Sequence, residues 1–124
     1  MNDSLREQAP SFRLCKRIPE GMFNNSALVY QAGNDWHSLC VRGEGFPTYI
    51  DQPKDIPAPM LAELVSRISN ITGSDVNFEV RNNGRWRAST SIFTPGEIQK
   101  HRAEGKTITN AALKLFFALK GIQK

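Results

Sequence analysis

The sequence predicts an α+β fold, a two-layer sandwich in which an antiparallel sheet carries helices on one face. Two observations predict it. Residues 76–93 alternate apolar and polar side chains on both sides of Asn82-Asn83-Gly84, and stripes of apolar residues with a helical period lie before and after this stretch. A chain of 124 residues is long enough for one domain with its own core, so we expect residues 1–124 to form a single domain.

The first part of the chain is predicted to be rich in strands. Residues 1–11 are polar and are expected to be a loose terminus. Alternating and β-branched residues in 12–50 predict a β-meander. Its strands are expected at residues 12–18, 27–32, 36–42 and 46–50. The first of them should be an edge strand because Pro19 cannot continue a hydrogen-bonded ladder, and residues 51–59, with three prolines, should form an extended connector.

Residues 58–122 are predicted to form a unit in which two helices flank a hairpin. Pro59 suits the first position of a helix and Gly73 suits its C-terminal cap. The apolar stripe of this helix consists of Met60, Leu61, Leu64, Val65, Ile68 and Ile71. The hairpin follows over 76–93, where Asn83-Gly84 can supply the positive φ angles of a tight turn.

Two more helices are predicted after the hairpin. Thr94 and Glu97 have the spacing of a capping box, which predicts a short helix that Gly105 ends. The last helix is expected to begin at Thr107 or Thr109. Its apolar stripe consists of Ile108, Ala112, Leu115, Phe116, Leu119 and Ile122.

Leu113 and Phe117 lie beside that stripe and widen the apolar surface of the last helix. One interpretation is a surface that packs against another subunit or a partner protein. The alternative is a broad core face that the N-terminal strands cover. The residue pattern leaves both interpretations open.

The charge of the chain is concentrated in its second half. Residues 1–51 hold five Lys/Arg and six Asp/Glu, whereas residues 52–124 hold eleven and six, which accounts for the net charge of +4. A basic half favours an anionic partner such as a nucleotide, a nucleic acid or an acidic protein surface. The alternative is an ordinary solvated surface.

Two candidate anion-binding sites lie in this basic half. Strand parity places three arginines near the hairpin turn on the face away from Trp86, where guanidinium groups can bind phosphate: Arg81, Arg85 and Arg87. The free N–H groups and dipole of the last helix form a second candidate site with Lys106, Thr107 and Thr109. The alternatives are solvated arginines and threonines that only cap the helix.

No arrangement of residues predicts catalysis, a metal site or a cofactor. His37 and Cys40 point to opposite faces of one predicted strand, and His101 lies in a basic run, so no nucleophile with a base stands out. Cys15 and Cys40 are interpreted as small core or interface residues. Three aromatic residues of the first half are either stacking surfaces for bases or part of the core: Tyr30, Trp36 and Tyr49.

Part of the chain resembles a known family. Residues 58–122 contain LAELV at 61–65, VNFEV at 76–80, WRA at 86–88 and TNAALK at 109–114. This order resembles the small helix-strand-strand-helix domains of bacteriophage genomes called phage ABA sandwich domains. The resemblance implies a phage or prophage accessory protein, a group that includes many non-enzymatic inhibitors of bacterial defence.

Three functions follow as hypotheses. The first is a non-enzymatic, anti-CRISPR or similar anti-defence protein that covers a host defence protein or sequesters a phosphate-bearing nucleotide signal. The alternatives are a nucleic-acid-binding accessory protein that uses the basic hairpin face and a small virion assembly protein. Because no apolar run approaches the ~20 residues that span a bilayer and the first residues are too polar for an export signal, we expect a cytoplasmic location in the bacterial host and no membrane partner.

Overall fold

The computed structural model describes residues 9–19, 22–23, 26–32, 37–41 and 56–121. These residues form two compact units within 1–60 and 61–124, and each unit is described by itself. Both units combine helix with antiparallel strands, which confirms the α+β class. The strands within the described residues form two three-stranded sheets, whereas we expected one sheet. That the whole chain folds as a single domain stays a prediction.

The first unit contains helix α1 (Phe12–Cys15) and strands β1 (Leu28–Ala32), β2 (His37–Val41) and β3 (Ile56–Ala58). Strand β1 lies in the middle of the sheet and pairs with β2 and β3, both antiparallel. The β1–β2 hairpin is therefore confirmed, and part of the expected connector forms an edge strand. The strand expected at residues 46–50 lies outside the described residues.

Helix α1 replaces the edge strand that we expected at residues 12–18, so that prediction is wrong. The Ser11 hydroxyl accepts a hydrogen bond from the Leu14 amide at 3.4 Å, and the Cys15 amide donates to the Ser11 carbonyl at 3.0 Å. Leu14 and Cys15 are both buried. Neighbouring residues of a strand point to opposite faces, so a helical turn buries this pair better than a strand does.

The second unit contains helices α2 (Leu61–Thr72) and α3 (Ile108–Lys120), with strands β4 (Asn77–Val80), β5 (Trp86–Thr94) and β6 (Glu97–Gly105) between them. Strand β5 is central and pairs with β4 and β6, both antiparallel. Helix α3 packs against α2 and against strands β5 and β6. The helices therefore cover one face of this sheet.

Caps and apolar stripes explain where the two helices lie. Gly73 follows α2 with a φ of +70°, and Gly121 follows α3 with a φ of +72°. The hydroxyl of Thr107 accepts a hydrogen bond from the Asn110 amide at 3.1 Å and caps α3. The buried apolar residues of the two helices are Leu64, Ile68, Ala111, Ala112, Leu113, Leu115, Phe116 and Phe117. Both predicted helices are confirmed, and Ile122 lies outside the described residues.

Strand β6 replaces the capping-box helix that we expected from Thr94 to Gly105, so that prediction is wrong. Thr94 pairs with Glu97 across a two-residue turn made by Pro95 and Gly96. Proline fixes φ for the first turn position, and Gly96 takes the φ of +80° that the second position requires. The stretch then alternates as a strand, and it contains no apolar stripe for a helix to bury.

The turn between β4 and β5 differs in detail from the expected one. Gly84 has a φ of +80°, but no described residue of this turn other than glycine has a positive φ. The Arg81 amide donates to the Arg85 carbonyl at 2.7 Å, and the Gly84 amide donates to the Arg81 carbonyl at 2.9 Å. The loop thus has three residues with glycine at its left-handed position. The hairpin itself is confirmed.

Candidate functional site

The face of the second sheet that points away from the helices carries polar and charged side chains. Residues that are directly opposite on neighbouring strands point to the same side, so the strand register defines this surface. We call it the outer face. Its three polar rows are Asn77–Ser89–Arg102, Glu79–Arg87–Glu104 and Ser91–Lys100.

Three arginines and two glutamates form an ion-pair cluster at one end of the outer face. Arg87 contacts Glu104 at 3.0 Å and Glu79 at 3.3 Å. Arg81 lies 3.7 Å from Glu79 and 4.0 Å from Glu104, and Arg85 lies 4.0 Å from Glu104. The structure therefore brings the three predicted arginines together, but two carboxylates neutralise much of their charge.

Arg87 is the most enclosed member of this cluster. Its side chain is only 19 % exposed, and its Nη1 and Nη2 atoms donate to Glu79 and Glu104. Its Nε atom is buried and has no hydrogen-bond partner. A guanidinium that already binds two carboxylates has no free edge for a bidentate contact with phosphate. That Arg81, Arg85 and Arg87 bind an anion stays a prediction.

Lys100 and Arg102 are the cations of the outer face that sequence reasoning missed. Both side chains are exposed, and neither forms an ion pair with another residue in the part of the chain that the structure describes. Ser91 lies opposite Lys100, and Ser89 lies opposite Arg102. The signal that could have found them is the alternation of 97–105 after a Pro-Gly turn.

An open cleft of about 330 Å³ lies over the outer face. Arg87, Lys100 and Arg102 line it together with one carboxylate, Glu79. Arg87 is already paired with Glu79 and Glu104, so the cations that make the cleft attractive to anions are Lys100 and Arg102. Serine hydroxyls and the Asn77 amide add hydrogen-bond donors. This arrangement can bind a phosphate group.

The start of helix α3 is the second predicted anion site. Gly105 is the last residue of β6 and is opposite Trp86. Lys106 therefore comes directly after β6, at the end of the sheet where Arg85 lies. The Thr107 and Thr109 hydroxyls are 3.2 Å apart, and Thr109 is 1 % exposed. These hydroxyls are used inside the chain, which confirms the capping role of Thr107. Anion binding by Lys106, Thr107 and Thr109 stays a prediction.

Leu113 and Phe117 do not form an exposed surface. Both have 0 % relative exposure within the single chain. Of the two interpretations, this burial within the single chain supports the broad core face, because an amphipathic helix that lies between a sheet and another helix buries more than one stripe. Broad burial of helix α3 explains both residues.

Cys15 and His101 do not belong to the polar rows of the outer face, although His101 also lines the cleft over it. Cys15 is a free, buried cysteine in the first unit, and burial raises the pKa of its thiol to about 12. His101 follows Lys100 and is directly opposite Thr90, on the helix-covered face, and its Nε2 atom is buried without a partner. The side chains of His37 and Cys40 lie outside the described residues.

Tyr30 was one of three predicted stacking residues. Its ring packs edge-on against Phe12 at 5.2 Å between ring centroids, and its hydroxyl donates to the Pro10 carbonyl at 2.8 Å. Tyr30 therefore belongs to the packing of the first unit. Trp36 and Tyr49 lie outside the described residues.

The sequence matches no protein-family model, and no curated protein or solved structure is significantly similar to it. Within the described ranges, no helix is long and apolar enough to span a membrane. The same residues contain no group of three or more His, Cys, Asp or Glu side chains placed to hold a metal ion.

Proposed function

We propose that this chain is a non-enzymatic binding protein that holds a phosphate-bearing nucleotide on the outer face. The observation that supports the proposal is the pair of exposed cations, Lys100 and Arg102, opposite two serines in one cleft. Neither cation forms an ion pair with another described residue, so neither has to break such a contact when it binds a ligand. A phosphate can therefore contact both cations without displacing a described ion-pair partner, although solvent and salt screen the attraction at these exposed positions.

Each residue type in the cleft has a distinct role in this proposal. Lys100 acts as a mobile point charge, whereas the planar guanidinium of Arg102 can bind two phosphate oxygens at once. Hydrogen bonds to charged groups contribute roughly 1.5–3 kcal/mol each. The hydroxyls of Ser89 and Ser91 can donate to further oxygens. The carboxylate of Glu79 can accept a hydrogen bond from a sugar hydroxyl.

The sequence resemblance supports a place for this binding in a phage or prophage accessory role. In that role the protein retains a nucleotide signal of a bacterial defence system and thereby inhibits the system. Retention without chemical change needs only affinity and slow release. A charged cleft that is open to solvent can provide the affinity.

Native mass spectrometry tests the proposal directly. The protein is analysed as purified from bacteria and again after mixing with a panel of linear and cyclic nucleotides. We expect an adduct of one nucleotide per chain, with affinity lowered at least about tenfold when Lys100→Ala and Arg102→Ala are combined. Two lost charge-assisted contacts exceed the ~1.4 kcal/mol of a tenfold change.

A matched control separates local contacts from total charge. Lys114→Ala combined with Lys120→Ala also removes two positive charges, but from helix α3, so nucleotide binding should be nearly unchanged. Equal losses in both double variants would point to general electrostatic attraction rather than a site. A wild-type protein that retains no nucleotide from the panel would contradict the proposed function.

A further inference from the structure

The β5–β6 hairpin extends beyond strand β4 as a two-stranded ribbon. The pairing of β4 with β5 ends where Asn77 is opposite Ser89, whereas β5 and β6 remain paired from that point to Thr94 and Glu97. Among the described residues, no third strand pairs with residues 90–94 of the ribbon. Its outer side continues the outer face.

The ribbon ends in an exposed apolar pair. Phe93 and Ile98 lie directly opposite each other, and 65 % and 59 % of their surfaces are exposed. Both point to the outer face because they share the parity of Ser91 and Lys100. A large exposed apolar pair on a polar surface commonly marks an interaction site.

The apolar pair and the cations form one continuous strip. Side chains on one face of a strand are about 7 Å apart, so Ile98, Lys100 and Arg102 form a row of roughly 14 Å. On β5, the adjacent row of outer-face side chains begins with Phe93 and continues with Ser91 and Ser89. Between the tip and the ion-pair cluster, the outer face of this ribbon carries no acidic residue, because Glu97 points to the other side.

We infer that the strip binds single-stranded nucleic acid, with bases stacked on Phe93 and phosphates at Lys100 and Arg102. The inference rests on the proposed function and extends it from a mononucleotide to a strand. Charge complementarity favours this occupant, since a second copy of the chain would bring the same cations against each other. A strand can also offer unpaired bases, which a duplex keeps stacked inside.

Fluorescence anisotropy with two labelled probes tests this inference on the full-length chain. The first probe is an oligothymidylate of about 12 nucleotides, within the usual range of single-strand sites. The second is an abasic sugar-phosphate strand of equal length, which keeps the phosphates but lacks the bases. We expect the first probe to bind about five- to 150-fold more tightly, the gain of one stacked base.

Substitutions at Phe93 separate stacking from charge. Phe93→Ala should remove the preference for the strand with bases and leave binding of the abasic strand unchanged, while Phe93→Trp should restore the preference. Lys100→Ala with Arg102→Ala should weaken both probes. The control is Ile71→Ala, which removes an exposed apolar side chain outside the ribbon.

The outcomes distinguish failure of this inference from failure of the proposed function. Equal affinity for the two strands, tighter binding of a duplex, or an unaffected Phe93→Ala variant would overturn the inference while mononucleotide binding stands. A Phe93-dependent dimer in sedimentation would also overturn it, because a second copy would then occupy the tip. Binding of neither strand nor any mononucleotide would overturn both.

Discussion

Gly105 shows how closely helix α3 approaches the end of strand β6. A Cβ atom at Gly105 would lie 2.7 Å from the Ala111 nitrogen and 2.9 Å from both the Asn110 carbonyl carbon and Cβ. Two of these atoms belong to the backbone, which cannot move aside cheaply. We therefore expect Gly105→Ala to lower the free energy of unfolding by about 1–3 kcal/mol, as measured by urea denaturation.

Gly84 is the matched control, because its requirement is conformational rather than steric. It has a φ of +80° and no atom within 4 Å of an added Cβ. Asparagine tolerates the left-handed region, so Gly84→Asn should cost less than Gly84→Ala. Gly105→Asn, in contrast, should be at least as harmful as Gly105→Ala. Wild-type stability of Gly105→Ala would mean that α3 does not approach the strand this closely.

Cys15 should make the stability of the protein depend on alkaline pH. Burial raises the pKa of its thiol from 9.0 to about 12. Above pH 9 the unfolded chain releases a proton that the folded chain keeps. The contribution of the neutral thiol to the free energy of unfolding is thus fully present below pH 9. It is lost as the pH rises through about 12, with a slope of about 1.4 kcal/mol per pH unit.

The Cys15→Ala variant isolates this effect, since every other ionisable side chain is the same in the wild type and the variant. The free energy of unfolding should be measured by urea denaturation at several values between about pH 8 and about pH 11. We expect the difference between the wild type and the variant to shrink across this range. A constant difference would show that the thiol ionises equally in both states.

Loss of a phenylalanine should destabilise the protein strongly in helix α3 and very little in the β5–β6 ribbon. Phe117 is fully buried, whereas Phe93 is 65 % exposed. We expect Phe117→Ala to cost about 3–5 kcal/mol and Phe93→Ala to change the free energy of unfolding by no more than about 0.5 kcal/mol. Urea denaturation measures both.

Phe117→Leu is the milder variant for the case in which Phe117→Ala does not fold, and its cost should fall between the two values. The contrary result would be a stable Phe117→Ala variant whose mass in solution falls from an oligomer to a monomer. That result would restore Phe117 to a partner surface and remove it from the core.

Elements with complete local signals could be predicted from the sequence. Helices α2 and α3 have an apolar stripe and a cap in the chain itself, and the β4–β5 hairpin has alternation on both sides of a glycine turn. Strand β6 could not be assigned from its first residues alone, because Thr94 and Glu97 fit both a capping box and the ends of a hairpin. Pro95-Gly96 favours the hairpin.

The candidate site could be predicted only where the pattern within a single strand places its residues. Parity along one strand correctly grouped Arg85 and Arg87 near the turn. The pairing of those arginines with Glu104 depends on the register of β6, which no local pattern within β5 reveals. The same register places Lys100 and Arg102 on the outer face. Because their segment was predicted to be a helix, these two residues were not predicted to lie there.

At the scale of the whole molecule, the charge of the two units differs in sign. Residues 61–124 contain ten Lys/Arg and five Asp/Glu, a net charge of +5, whereas residues 1–60 contain six and seven, a net charge of −1. The excess of positive charge therefore belongs to the second unit, which also carries the outer face. The ion-pair cluster decides how many of its cations are available to a ligand.

The salt dependence of the affinity for single-stranded nucleic acid measures how many of those cations contact phosphates. Each phosphate contact with a single strand contributes a slope of about −0.7 to the logarithm of affinity against the logarithm of salt concentration. If only Lys100 and Arg102 neutralise phosphates, the slope should be near about −1.4. If the three clustered arginines also take part, five contacts would give about −3.5.

We expect the smaller slope, because Glu79 and Glu104 already pair with the arginines. Lys100→Ala should reduce the slope by about 0.7, and Arg85→Ala should leave it unchanged, in anisotropy titrations of the labelled oligothymidylate at several salt concentrations. A steep slope that Arg85→Ala lowers would show that the ion pairs open when the strand binds. The arginine cluster would then hold phosphate itself, and the two glutamates would regulate its affinity.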